Sequence, residues 1–139
     1  MGNTNLRDKR IFIIEDDAAN LDIMLVYLRG ASAVPLFARW NSDTLHGMEK
    51  LMPLDAILLD LSFPDNISGY DIFDQLRALS FLADVPIIAV SALNMDEAIP
   101  RAKKQVFSGF INKPLQRSTF TQAVSAILDG EEVWGADGI

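Results

Sequence analysis

The sequence contains no cysteine and one histidine, His46, in 139 residues. The first absence removes disulfides, thiolate zinc sites and thiol nucleophiles together, and is compatible with a reducing compartment. The second excludes any metal motif that needs two imidazoles. Basic side chains are also few, 12 against 19 acidic ones, for a formal net charge of -7. Such a domain lacks the basic face that holds a polyanion, so a cationic ligand or partner fits better than direct contact with nucleic acid. No apolar run approaches the roughly eighteen residues of a transmembrane helix. The polar opening MGNTNLRDKR leads only to Ile11–Ile14 before Glu15 interrupts, which is not the pattern of a signal peptide. The chain is therefore read as soluble and cytoplasmic, without membrane contact.

Short apolar blocks are present at regular intervals: Ile11–Ile14, Ala33–Phe37, Ala56–Leu59, Pro86–Val90 and Phe110–Ile111. Between them the spacing becomes helical. Leu21, Met24, Leu25 and Leu28 follow i, i+3, i+4, i+7, as do Phe120, Ala123, Val124, Ile127 and Leu128 near the end. Further helices are expected near Asp43–Leu51, Tyr70–Leu79 and Met95–Val106, with Pro100 delaying or kinking its helix. Met95, Ile99 and Val106 read as packing residues, Arg101, Lys103 and Lys104 as a solvated face, and His46 as surface. Continuous runs such as AILL and PIIAV indicate strands covered on both faces, hence a parallel sheet between helices. Val34-Pro35-Leu36 belongs at an edge, because proline lacks the donor a central strand needs. The expectation is one α/β domain over 1–139, with a core from about 8 to 129. The tail 130–139 (GEEVWGADGI) is aperiodic and read as mobile, docking of Trp134 remaining open.

In an open parallel sheet, ligands gather beyond the carboxyl ends of the strands. Four of the five runs end in reactive residues: Glu15-Asp16-Asp17, Asp60, Ser91 and Lys113-Pro114. Clustered carboxylates repel one another unless a pKa rises or a divalent cation binds. Hard oxygen ligands without histidine or cysteine favour Mg²⁺, which takes one or two carboxylates and keeps waters for exchange with a phosphate oxygen. A phosphoryl group is then the natural guest, with a hydroxyl from Ser91 and a charge from Lys113 for its oxygens. Asp60 is placed as a carboxylate nucleophile. Taken singly these residues have plainer readings: Asp17 as a helix cap, Asp60 in a turn, Lys113 as a solvated amine.

The blocks IFIIEDDAAN, AILLDLSFP with SGYDI, PIIAVSAL and GFINKPL, in this order, resemble the receiver domain of two-component response regulators over residues 8 to 129. Asp16 and Asp60 are 44 positions apart and Ser91 and Lys113 are 22 apart, as in that family. The resemblance implies a flavodoxin-like, doubly wound five-stranded parallel sheet of order 2-1-3-4-5 flanked by five helices. It implies that Asp60 accepts a phosphoryl group from a sensor histidine kinase or phosphotransfer protein. Glu15, Asp16, Asp60 and the Ser62 carbonyl would hold Mg²⁺, directly or through water, and Ser91 and Lys113 would grip the phosphoryl oxygens. Phe110 falls at the switch-aromatic position, equally readable as core, and Lys113-Pro114 at a bond that is usually cis. A downstream protein target, or a second copy in a homodimer, would bind through the fourth helix, fifth strand and fifth helix.

Two departures stand out. Asp60 and Gly69 are nine positions apart, one more than is common in the family, and Gln105-Val106-Phe107-Ser108 lacks the glycine often found before the fifth strand. Ser62 and Leu93 lie where family members tune the lifetime of the acyl phosphate, and an apolar Leu93 implies slow self-dephosphorylation. With no room for an effector domain after about residue 129, the chain is expected to act on another protein or as a relay intermediate, and not as a conventional enzyme. The alternatives are a phosphorylation-independent binding module of the same fold and an aspartyl-phosphate hydrolase. The latter would need a substrate-enclosing cap.

Overall fold

The computed structural model of the chain describes residues 6–135. Five strands, β1 (Arg10–Ile14), β2 (Val34–Ala38), β3 (Ala56–Asp60), β4 (Ile87–Ser91) and β5 (Gly109–Asn112), form one parallel sheet in the order β2-β1-β3-β4-β5. The connecting helices are α1 (Ala18–Gly30), α2 (Ser42–Met48), α3 (Gly69–Arg77), α4 (Met95–Lys104) and α5 (Arg117–Leu128). Alternate residues along β1, β3, β4 and β5 enter different cores. Phe12, Ile14, Ile57, Leu59, Ile87, Ala89 and Phe110 pack with side chains of α2, α3 and α4. Ile11, Ile13, Ala56, Leu58, Ile88, Val90 and Ile111 pack with Met24, Leu25, Leu28, Phe120, Val124 and Ile127 of α1 and α5. Both strand faces are thus apolar, so the runs are continuous instead of alternating. Pro35 lies on edge strand β2, opposite Ile11, as its missing donor requires.

Two expectations need correction. Pro100 does not delay α4, which begins at Met95, capped by the Asn94 carboxamide accepting from the Asp96 amide. Pro100 is exposed on an outer turn, where water can take up the carbonyl it leaves without a donor. Val106 is not a packing residue: it is 72% exposed. It ends α4 in the left-handed conformation at φ 70°, within the run Gln105–Ser108 that lacks a glycine. The Val106 amide donates to Lys103 O at 3.0 Å and the Phe107 amide to Ala102 O at 2.9 Å, closing the helix end. A β-branched side chain is strained there. Val106→Gly is therefore expected to stabilise the fold by about 1 kcal/mol, the left-handed penalty less the entropy glycine adds to the unfolded chain. A higher urea midpoint at unchanged slope would show it.

For the tail, the structure favours the docking of Trp134 that the sequence left open. Residues 133–135 lie along β5, with Trp134 paired to Phe110 in a parallel bridge. Residues 136–139 fall outside the described part. No described helix is long and apolar enough to cross a membrane.

Candidate functional site

The cleft lies beyond the carboxyl ends of β1 and β3, as the sheet topology dictates. Its volume is about 390 Å³, and it is lined by Glu15, Asp16, Asp17, Asn20, Asp60, Ser62, Pro64, Ala92 and Lys113. The three consecutive acids after β1 have different environments. Glu15 is buried, 1% exposed, and its Oε2 accepts from the Asp17 amide at 3.1 Å. Asp16 is half-buried, and its Oδ1 accepts from the Trp40 amide at 3.1 Å. Asp17 is exposed and caps α1, its Oδ1 accepting from the Asn20 amide at 3.0 Å, so the capping expectation holds for this residue.

Asp60 ends β3 and is 7% exposed, its Oδ1 accepting from the Ser62 amide at 3.1 Å. The Lys113 ammonium reaches it from the end of β5. Nζ lies 3.1 Å from Glu15 Oε1 and 3.4 Å from Asp60 Oδ2. One cation thus links two carboxylates from two other strands, 98 and 53 positions away in sequence. Lys113-Pro114 is cis, as the resemblance implied. Burial first, then the hydrogen bond and charge of Asp60, push the Glu15 carboxyl up to about 7. Lys113 and the Asp17 amide act in the opposite direction and are outweighed.

Ser91 ends β4 but does not line the cleft, whereas Ala92 does. It is fully buried, and its Oγ accepts from the Leu93 amide at 2.9 Å. Phe110 is also fully buried, in the core shared with α3 and α4. Asn20 was not singled out from the sequence. Its position, one helical turn after Asp16 on a helix leaving the site, is the signal that would have found it.

Gly69 fixes the far side of the site. A Cβ there would run into the Asp60 carbonyl oxygen and come within 2.5 Å of Leu61 Cα. Its amide donates to Leu61 O at 3.1 Å, so α3 starts directly on the end of β3. The loop between them is pinched by a Ser62–Ser68 bridge and turns through Asp65 and Asn66, both left-handed at φ 62° and 61°. Asp and Asn are the non-glycine residues that best tolerate this conformation.

Among the described residues no three or more His, Cys, Asp or Glu side chains form a ready-made metal cluster. Lys113 engages two of the three cleft carboxylates that bear on a cation, and the Trp40 amide engages the third. The donor set still fits an oxygen-preferring ion that needs only one or two carboxylates and keeps its waters.

A family profile for the response regulator receiver domain matches residues 11–125. The polar-differentiation response regulator DivK of Brucella ovis is 24% identical over 120 residues, covering 86% of this chain and 96% of the relative. A putative response regulator from Chloroflexus aurantiacus superposes with a TM-score of 0.78 at 23% identity, covering 88% of this chain and 99% of that one. The receiver domain of a sensor histidine kinase from Pseudomonas aeruginosa, whose active-site cleft coordinates a magnesium ion, superposes with a TM-score of 0.70 at 23% identity, covering 89% of this chain and 99% of that one. With the acids of β1, the aspartate of β3 and the lysine after β5 gathered on one cleft, this chain belongs to the response regulator receiver domain family.

Proposed function

We propose that this receiver domain is the phosphoacceptor of a two-component system and that Asp60 takes the phosphoryl group. The observation that carries the reading is the Lys113 ammonium within 3.4 Å of both Glu15 and Asp60, which brings three strand ends to one point. In the reaction an Asp60 carboxylate oxygen forms a bond to phosphorus as the phosphorus–nitrogen bond to a histidine of the donor breaks. The donor is a sensor histidine kinase or phosphotransfer protein. Lys113 moves from Glu15 to the phosphoryl oxygens, and a small rotation of Ser91 redirects its hydroxyl to the same group. Asp16 and Asp60, with the Ser62 carbonyl and Glu15 directly or through water, would hold Mg²⁺, as the magnesium in the Pseudomonas receiver supports. The ion would neutralise charge on the transferring group.

The new group carries a charge of about −1.5 to −2. It alters the partners of Lys113, which joins β5 directly, and of Ser91, which ends β4. A target protein or a second copy then reads the surface of α4, β5 and α5, with Phe110 as the buried switch between site and surface. The domain acts in the cytoplasm and turns over no external substrate.

The test is intact-mass analysis of the full chain with acetyl phosphate, with and without Mg²⁺. The expected result is one Mg²⁺-dependent, hydroxylamine-labile phosphoryl group per chain, mapping to Asp60 and lasting minutes or longer. A lifetime of seconds would contradict the role given to Leu93. No adduct, together with unchanged partner binding, would establish the phosphorylation-independent module, and repeated turnover of phosphoesters a hydrolase.

A further inference from the structure

β5 is the second edge of the sheet, and an open parallel edge presents unpaired donors and acceptors. The chain covers this edge itself. Beyond α5 and a left-handed Gly130, Val133 O accepts from the Phe110 amide at 2.9 Å, and the Gly135 amide donates to Phe110 O at 2.8 Å. Two glycines make the approach feasible. A Cβ on Gly109 would meet Ile127 Cδ1 of α5 at 2.5 Å and Val133 O at 3.1 Å, and one on Gly135 would lie 3.0 Å from Met95 Sδ and 3.2 Å from Ile99 Cδ1 of α4. Gly135 is also left-handed, at φ 85°. Between these contacts the Trp134 ring packs against the core cluster that contains Phe110, with Lys103 Nζ 5.3 Å from its centre. Its Nε1 donates to Glu132 Oε1 at 3.0 Å.

The edge, the α4 wall and the cation of Lys103 together form a groove fitted to an extended strand, a recognised mode of peptide capture. The present occupant is held loosely. Two backbone hydrogen bonds of about 0.5–1.5 kcal/mol each, the half-buried Trp134 ring and the partly buried Val133 side chain on the α1–α5 core hold it, few enough contacts for an extended peptide to displace.

We infer that residues 133–135 form an autoinhibitory strap, filling in cis a groove between the β5 edge and α4 that otherwise accepts an extended peptide of a partner protein. The partner segment supplies one donor and one acceptor to the Phe110 backbone. It also brings an aromatic side chain to the Met95–Ile99–Lys103 wall, a small residue after the aromatic, and acidic residues ahead of it to match Lys103. The groove lies on the α4–β5 part of the surface proposed above to report on Asp60, so the inference deepens that reading, while its test needs no phosphorylation because no strap residue lines the Asp60 cleft. The strap is tethered by a short link after α5, so it competes at an effective concentration on the order of millimolar.

The test uses the full-length chain and a fluorescent, amidated peptide of sequence EEVWG. Gly135→Pro removes the donor to Phe110 O and forbids φ 85°. In this variant the Phe110 amide should lose its protection from hydrogen exchange, while the Lys113 amide, which donates to Ser91 O, keeps its own. The peptide should bind the variant at least ten-fold tighter than the wild type and restore Phe110 protection. Trp134→Ala, which leaves the backbone intact, should give a smaller gain and carries the test if Lys113 protection shows that the first variant is misfolded. Equal peptide affinity in wild type and variants would overturn the inference, as would rapid Phe110 exchange in the wild type.

Discussion

Asp60→Asn is expected to abolish phosphoryl uptake from acetyl phosphate, with no adduct detectable by intact mass at any Mg²⁺ concentration. Asparagine preserves the side-chain oxygen that accepts from the Ser62 amide, so the end of β3 should keep its geometry. It lacks an anionic oxygen to attack phosphorus. No neighbour can take over. Glu15 is buried and bridged to Lys113, which holds it in a fixed position away from an in-line attack. Asp16 is tied to the Trp40 amide, and Asp17 caps α1. A residual adduct mapping to any of these acids would show that the cleft does not select its nucleophile as argued.

Lys113→Ala is expected to damage both chemistry and stability. With Nζ gone, the buried carboxyls of Glu15 and Asp60 face each other without their shared cation, and phosphoryl uptake should fall by about 10²–10³ through loss of one preorganised charge. Breaking a buried pair by removing one partner costs about 3–5 kcal/mol when the remaining charge cannot be neutralised. Here Glu15 can neutralise itself by binding a proton, which makes the loss pH-dependent. Its carboxyl is raised above the ordinary 4.5 to about 7 even with Lys113 present, and loses a lowering influence when the amine is removed. A raised carboxyl pKa means that the folded chain binds the proton more tightly than the unfolded one. The associated penalty is absent below the unfolded value, grows between the unfolded and folded values, and is complete above the folded one. Urea unfolding in EDTA should therefore show a loss of about 3 kcal/mol at pH 8 and a clearly smaller one at pH 5. An equal loss at both pH values would mean that Glu15 does not carry the coupling.

The strand ends were legible because the apolar runs of β1, β3 and β5 stop at or just before a residue that enters the cleft. Glu15, Asp60 and Lys113 were thus recognisable before any geometry was known. The edge position of β2 was legible from Pro35 alone, a purely local effect. Long-range or environmental features were not. The three acids after β1 look equivalent in sequence, and only folding separates a buried acid, a half-buried one and an exposed cap. The pairing of Val133–Gly135 with Phe110 has no periodic signature, because it consists of one bridge to a distant strand. Pro100 in mid-helix and the left-handed Val106 break local rules at solvent-facing positions, where water relieves the first and exposure spares the second a steric neighbour.

The contact of Gly69 with the end of β3 means that the start of α3 and the peptide group of the nucleophile are mechanically one joint, with no side chain between them to act as a cushion. Seven residues can therefore leave and return as an external arch whose footing is fixed at both ends. An insertion in that arch lengthens the rim and leaves the anchorage where it was. The fold can drift in loop length here over evolutionary time, while a single methyl group at the hinge is intolerable.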